Sequence, residues 1–177
     1  MRRISVNAIR VSTRPGLRSQ GWLQMGSLHV PVALGRGGVR ANKREGDGGT
    51  PRGVFHPVRL WWRADRLLQP RTLLPVRRIG RSDAWCEDPT DRRYNRPFAR
   101  SANEPGDRLM RDDHLYDLIV ELDHNRRPRI GRRGSAVFIH IARPAFPPTA
   151  GCVALRPRDL KALLALLSPK TRIQIRN

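Results

Sequence analysis

The chain has 177 residues, a length suited to one domain with a substantial core, and 38% of it is hydrophobic. Its 35 Lys and Arg against 15 Asp and Glu leave a net charge of +20, carried almost entirely by arginines spread along the sequence, which points to an anionic partner and a basic face rather than a disordered basic tail. No apolar run reaches the roughly 18 residues of a membrane-spanning helix, and the cysteines, Cys86 and Cys152, are too few for a disulfide framework.

The start, Met1-Arg2-Arg3, is basic, but Arg10, Arg14 and Arg18 arrive before any apolar stretch, so no signal peptide is legible. Residues 2–12 alternate loosely and predict a strand, with Arg14-Pro15-Gly16 as a turn. Gly21 to Leu34, with Trp22, Leu23, Leu28, Val30, Val32 and Leu34, predicts a hairpin that Gly35-Arg36-Gly37-Gly38 ends. This glycine-rich break has no Gly-Lys-Ser/Thr ending and no helix after it, so it reads as a turn rather than a phosphate cradle.

Lys43 to Gly53 is a polar loop, and Val54 to Trp62 a predicted strand. Adjacent Trp61 and Trp62 point to opposite faces of such a strand, so one is expected in the core and the other as an exposed platform. Pro70 to Pro105 is long, polar and aperiodic, the signature of a functional capping loop or of a solvated segment. Within it, Arg93, Tyr94 and Asn95 combine guanidinium, phenol and amide, groups suited to holding amides and carboxylates.

His114 to Leu122 predicts the clearest mid-chain strand, and His114 and Tyr116 on it complete the expected substrate-binding set. His114 and Asp117 are an odd number of residues apart, on opposite faces of a strand, and are not expected to form a dyad. Asp123 to Arg126 is a turn and Arg127 to Ser135 a basic connection. His29, His56, His114, His124 and His140 show no metal-ligand spacing, so no metal and no other cofactor is expected.

Val137-Phe138-Ile139-His140 ends an apolar, β-prone run on a histidine. A Pro-rich loop, Ile141 to Ala150, then reverses the chain, and Gly151 places Cys152 at the head of the apolar run Val153-Ala154-Leu155. Cysteine is the side chain closest to being a nucleophile at neutral pH, and a neighbouring imidazole can take its proton. Gly151 removes Cβ crowding, so the backbone N–H groups of Gly151 and Cys152 are candidates to face an oxyanion. The catalytic set is therefore Cys152, His140 and Gly151, while Cys86, with no Gly or His beside it, reads as an inert, unbridged thiol. Arg156-Pro157-Arg158-Asp159 then opens a helix with a buried stripe of Leu160, Leu163, Leu164 and Leu167, Ser168-Pro169 stops it, and Thr171 to Ile175 alternates as a closing strand. One helix among many short strands reads as a mainly β domain.

Ile139-His140, the spacer, Thr149-Ala150-Gly151-Cys152-Val153 and the leucine-rich helix resemble the signature of the YkuD-type L,D-transpeptidases. Upstream, Thr50-Pro51-Arg52-Gly53-Val54-Phe55 is similar to that family's Thr-Pro-x-Gly-x-Phe/Tyr stretch. Ala150 departs from a frequent second histidine, Ile141 from a frequent Gly, and Ala154 from a frequent Arg or Asn, so His140 is the local base. The resemblance implies one catalytic domain over residues 1–177, a β-sandwich with a capping loop at 70–105. It also implies peptidoglycan stem peptides as donor and acceptor, a Cys152 thioester, acylation by carbapenem-type inhibitors, and a place in the periplasm or at the cell wall. Water in place of the acceptor amine would give a carboxypeptidase on the same site. The competing reading of the charge, a basic nucleic-acid-binding domain without catalysis, leaves the His140 to Cys152 arrangement unexplained.

Overall fold

In the computed structural model, which describes residues 7–177, strand formation follows apolar alternation. Ile9 and Val11 of β1 (Ala8–Arg14), Leu23 and Met25 of β2 (Leu17–Met25), and Val30 and Val32 of β3 (Leu28–Ala33) are all buried, with exposed or half-exposed residues between them. The chain turns at Pro15-Gly16, and β2 begins earlier than its apolar residues suggest. Of the strand predicted at 2–12, residues 2–6 lie outside the described residues.

Two short strands, β4 (Val39–Arg40) and β5 (Thr50–Pro51), pair in parallel across the polar loop. The predicted strand Val54 to Trp62 is broken at His56 into β6 (Gly53–Phe55) and β7 (Pro57–Trp62), which join different parts of the sheet. Next come β8 (Val76–Arg78), β9 (Asp83–Trp85), β10 (Pro97–Ala99), β11 (Asp107–Arg108), β12 (Leu118–Leu122), β13 (Phe138–Ile141) and β14 (Val153–Leu155). The α-helix α1 (Pro157–Leu164) and the closing β15 (Arg172–Arg176) complete the chain.

Ten strands form one sheet in the order β6-β15-β1-β2-β3-β14-β13-β12-β7-β8. Apolar side chains of β1–β3 and β15 share a single core with those of β7, β12, β13 and β14, and with Leu160, Leu163 and Leu164 of α1. The layers of the expected sandwich are thus two halves of one hydrogen-bonded sheet curled around a common core and its helix. The fold is mainly β, as the short strands imply.

On its other face the β7–β12–β13 region carries a second apolar cluster that includes Trp61, Ile119, Phe138 and Cys152, with Trp85 and Leu109 packed on from outside. Both tryptophans are consequently buried: Trp62 enters the main core and Trp61 the second cluster, its indole N–H donating to Glu121 at 3.0 Å. The expected exposed platform does not form because this part of the sheet is covered on both faces. Its cover comes from the 70–109 region, which is built as strands, β10-β9-β11 forming a small antiparallel sheet rather than a loose polar loop.

Candidate active site

Beside β13 the chain does not reverse. β14 pairs with β13 in parallel, with Ile139 opposite Val153 and His140 opposite Ala154. Residues 142–152 carry the chain back to the start of β13, which puts Cys152 level with Phe138. Since one face of a strand recurs every second residue, His140 is the next same-face position along, roughly 6.6 Å further. The parallel register makes the cysteine and the histidine diagonal neighbours on one face of the sheet.

The loop ahead of Cys152 is held from behind. The Thr149 amide donates to Leu34, the Arg36 amide donates to Thr149, both at 2.9 Å, and the Thr149 hydroxyl donates to the Cys152 carbonyl at 2.7 Å. The glycine-rich break at 35–38 therefore works as a bracket for the loop ahead of Cys152. Gly151 has φ of +147°, and a Cβ there would lie 2.8 Å from the Gly49 carbonyl oxygen, so glycine is required by conformation and by space. Its N–H donates to the Thr149 hydroxyl at 3.1 Å and so does not face an oxyanion, contrary to expectation.

The thiol donates to the Ala136 carbonyl at 3.1 Å, and Sγ accepts from the Phe138 amide at 3.4 Å; neither bond involves His140. His140 Nδ1 lies 2.8 Å from the Ile141 carbonyl, which can only accept, so Nδ1 carries the proton and Nε2 keeps a free lone pair. Burial pushes the Cys152 thiol up to about 12, with the charges of Asp107 and Glu87 adding to it, and burial lowers His140 to about 4. The resting pair is a neutral thiol beside a neutral imidazole.

Cys152 lies at the meeting point of two cavities. One, of about 360 Å³, brings Glu45, Glu87 and Asp107 together with Arg36, Lys43 and Arg111. Loss of water around Glu87, followed by the charges of Asp107 and Glu45, raises its carboxyl to about 7. The other, of about 250 Å³, contains His140, Arg111, Arg143 and the prolines Pro147 and Pro148, with no carboxylate in its wall. Tyr116 borders both. Its hydroxyl donates to Asp107 at 2.7 Å, and its ring meets His140 edge-on at 5.3 Å between centroids.

Of the expected substrate-binding residues, only Tyr116 borders the sulfur. Arg93 is held by Asp91 at 2.5 Å and Glu104 at 2.7 Å, stacks over Phe98, and borders neither Cys152 cavity. Tyr94 is buried with its hydroxyl on Glu45, one step behind the larger cavity. Asn95 is a buried brace: Oδ1 accepts from Trp85 Nε1 at 3.0 Å and from the Ala136 amide at 3.2 Å, and Nδ2 donates to the carbonyls of His124 and Asn125. It therefore anchors, through the amide on the other side of its Cα, the residue whose carbonyl accepts from the thiol.

His114 is exposed, away from both cavities, and does contact Asp117 at 2.8 Å. Their expected separation assumed a strand, but β12 starts only at Leu118, and His114 sits in a turn with φ of +63°. The residues missed by sequence reasoning, Lys43, Glu45, Glu87, Asp107, Arg111 and Arg143, come from several segments and share no local pattern. Cys86 is buried, and both cysteines are free. Among the described residues there is no metal-binding group of His, Cys, Asp and Glu, and no helix is long and apolar enough to cross a membrane.

The family profile of the L,D-transpeptidase catalytic domain, YkuD, matches residues 18–175. Among solved structures, an L,D-transpeptidase of Enterococcus faecium, a cysteine-to-serine mutant, is similar over 98% of this chain and 50% of its own, with a TM-score of 0.44 and 14% identity. This chain thus spans about half the length of that protein. None of the curated proteins matches it. The profile takes in β2 through β15 and with them both Cys152 and His140, and on that extent the chain belongs to the YkuD family of L,D-transpeptidase catalytic domains.

Proposed function

We propose that the chain forms peptidoglycan crosslinks, with Cys152 as the acylated nucleophile and His140 as the group that moves protons. The observation that carries this reading is a buried thiol, next to an imidazole of fixed tautomer, opening onto two cavities of different charge. A transfer between two stem peptides needs a donor to reach the sulfur and an acceptor amine to reach the resulting thioester carbonyl from another side, and this arrangement supplies two approaches.

The donor carbonyl reaches the sulfur, the thiol leaves Ala136, and its proton passes to His140 Nε2 as sulfur bonds to carbon. The oxyanion is assigned to the Cys152 N–H, since the Gly151 N–H is held by Thr149. Collapse of the tetrahedral adduct breaks the C–N bond, and the departing amine takes the proton from His140, leaving a thioester on Cys152. The acceptor amine then attacks, gives its proton to His140, and the returning thiolate recovers it. Attack by water instead releases a free acid, the carboxypeptidase outcome. L-Ala to diaminopimelate links and diaminopimelate to diaminopimelate links both fit this sequence, and the wall-side location of such substrates follows from the same reading.

Intact-protein mass spectrometry tests it. Incubation with a carbapenem and, separately, with defined muropeptides is expected to give one covalent adduct and crosslinked dimers, both lost in Cys152→Ala. Folded wild-type protein that forms neither would overturn the proposal.

A further inference from the structure

A third cavity, of about 270 Å³, shares no lining residue with the two at Cys152. Arg59 enters it from β7, Arg96 from the residue ahead of β10, and Arg126, Arg127 and Arg129 from the connection between β12 and β13. Glu121 is its single carboxylate, and that group already lies 3.1 Å from Arg59 and accepts from Trp61.

Some arginines outside the cavity are paired with carboxylates: Arg63 with Asp65, Arg66 with Asp117, Arg77 with Asp83, Arg111 with Asp113. Arg96, Arg126, Arg127 and Arg129 pair with no carboxylate among the described residues. Arg129 donates through Nη2 to the Arg92 carbonyl at 3.0 Å, but its Nη1 is buried without an acceptor. A buried guanidinium N–H without a partner is a donor short of one oxygen.

The loop that brings three of these arginines in is held rigid. Asn95 ties down the His124 and Asn125 carbonyls at 3.0 and 2.9 Å, and the Asn125 side chain bonds to both the amide and the carbonyl of Ile130. The backbone that carries these arginines is ordered before any ligand arrives, which lowers part of the ordering cost of binding.

We infer that this cavity is an oxyanion-binding site, separate from the Cys152 centre, that takes a phosphate- or carboxylate-bearing group. Its volume suits a single anionic group or the end of a polymer rather than a large organic ligand. Guanidinium forks match the oxygen geometry of both anions. The inference does not depend on the transpeptidase reading, although Asn95 borders this cavity and also holds the amide of Ala136, the residue whose carbonyl accepts from the thiol.

Calorimetric titration of the full chain with inorganic pyrophosphate and with citrate, at matched ionic strength, tests it. Saturable one-to-one binding is expected for at least one anion. Arg126→Ala/Arg127→Ala removes two exposed side chains that make no hydrogen bonds among the described residues and should weaken binding about ten-fold or more. Arg172→Ala/Arg176→Ala on β15 loses the same charge and should change it less than about two-fold. Arg96→Ala, from a different segment, should also weaken binding, and Cys152→Ala should leave it unchanged. Tighter pyrophosphate identifies a phosphate source and tighter citrate a carboxylate source. Equal weakening in the two double variants, or no saturable binding of either anion, would overturn the inference.

Discussion

If the resting thiol is neutral, its reactivity toward a small alkylating agent should follow the shape of a strongly raised titration. The informative background is Cys86→Ser, which leaves Cys152 as the single thiol. With the Cys152 thiol at about 12 against an ordinary 9.0, the thiolate population at any pH well below both is lower by about 1000-fold. Iodoacetamide alkylation, followed by intact mass between about pH 5 and pH 9.5, should rise close to ten-fold per pH unit without a plateau. Restricted access lowers the whole curve but does not change its slope, so the slope is the test. His140→Ala should leave that slope unchanged, because the imidazole, lowered to about 4, is already neutral throughout the range and makes no hydrogen bond to the sulfur. The same substitution should abolish turnover on muropeptides, where His140 must accept the proton during attack. An inflection between pH 5 and pH 7 that disappears in His140→Ala would mean a preformed thiolate–imidazolium pair and refute the reasoning.

The same burial makes a stability prediction: the folded value of His140 lies below the ordinary 6.5, so as pH falls the unfolded chain takes the proton first. Its contribution is complete above about pH 6.5 and is lost toward pH 4, by roughly 2–3 kcal/mol, and urea unfolding at pH 7.5 and 4.5 should show a smaller drop for His140→Gln than for wild type. Gly151→Ala should destabilise by about 1–3 kcal/mol through its positive φ and the Gly49 carbonyl, and should suppress acylation; a normal urea midpoint with normal adduct formation would contradict this. Asn95→Ala removes a buried group with four hydrogen bonds and should cost about 2–4 kcal/mol, which a midpoint shift equivalent to less than about 1 kcal/mol would disprove. Tyr116→Phe, at the edge of both cavities, should lower kcat/KM on muropeptides more than Arg93→Ala does, and the reverse order would restore Arg93 to the site.

Several features of the molecule were legible one segment at a time. The strands β1 to β3 follow the alternation of Ile9, Val11, Leu23, Val30 and Val32, and α1 follows Pro157 and the leucines behind it. Cys152 and His140 stood out as candidates from their own local context, a glycine before one and an apolar run before the other. Short-range signals of this kind are readable because pleat, helical turn and backbone crowding act between residues a few positions apart.

What the tertiary structure decided is everything that depends on which distant segments meet. Parallel pairing of β13 with β14, rather than a reversal, places the histidine diagonally from the cysteine. The β10-β9-β11 sheet buries Trp61 and turns an apparently loose segment into the cover of one face of the main sheet. Arg93 and Asn95, neighbours of one residue type pattern, separate into a surface ion pair and a buried brace according to what each happens to face. Charge and proton affinity follow the same rule: the +20 excess belongs to the sequence alone, whereas the raised thiol, the lowered imidazole and the carboxylates gathered at the cavity arise from desolvation and from charges brought close by folding, which no spacing along the chain records.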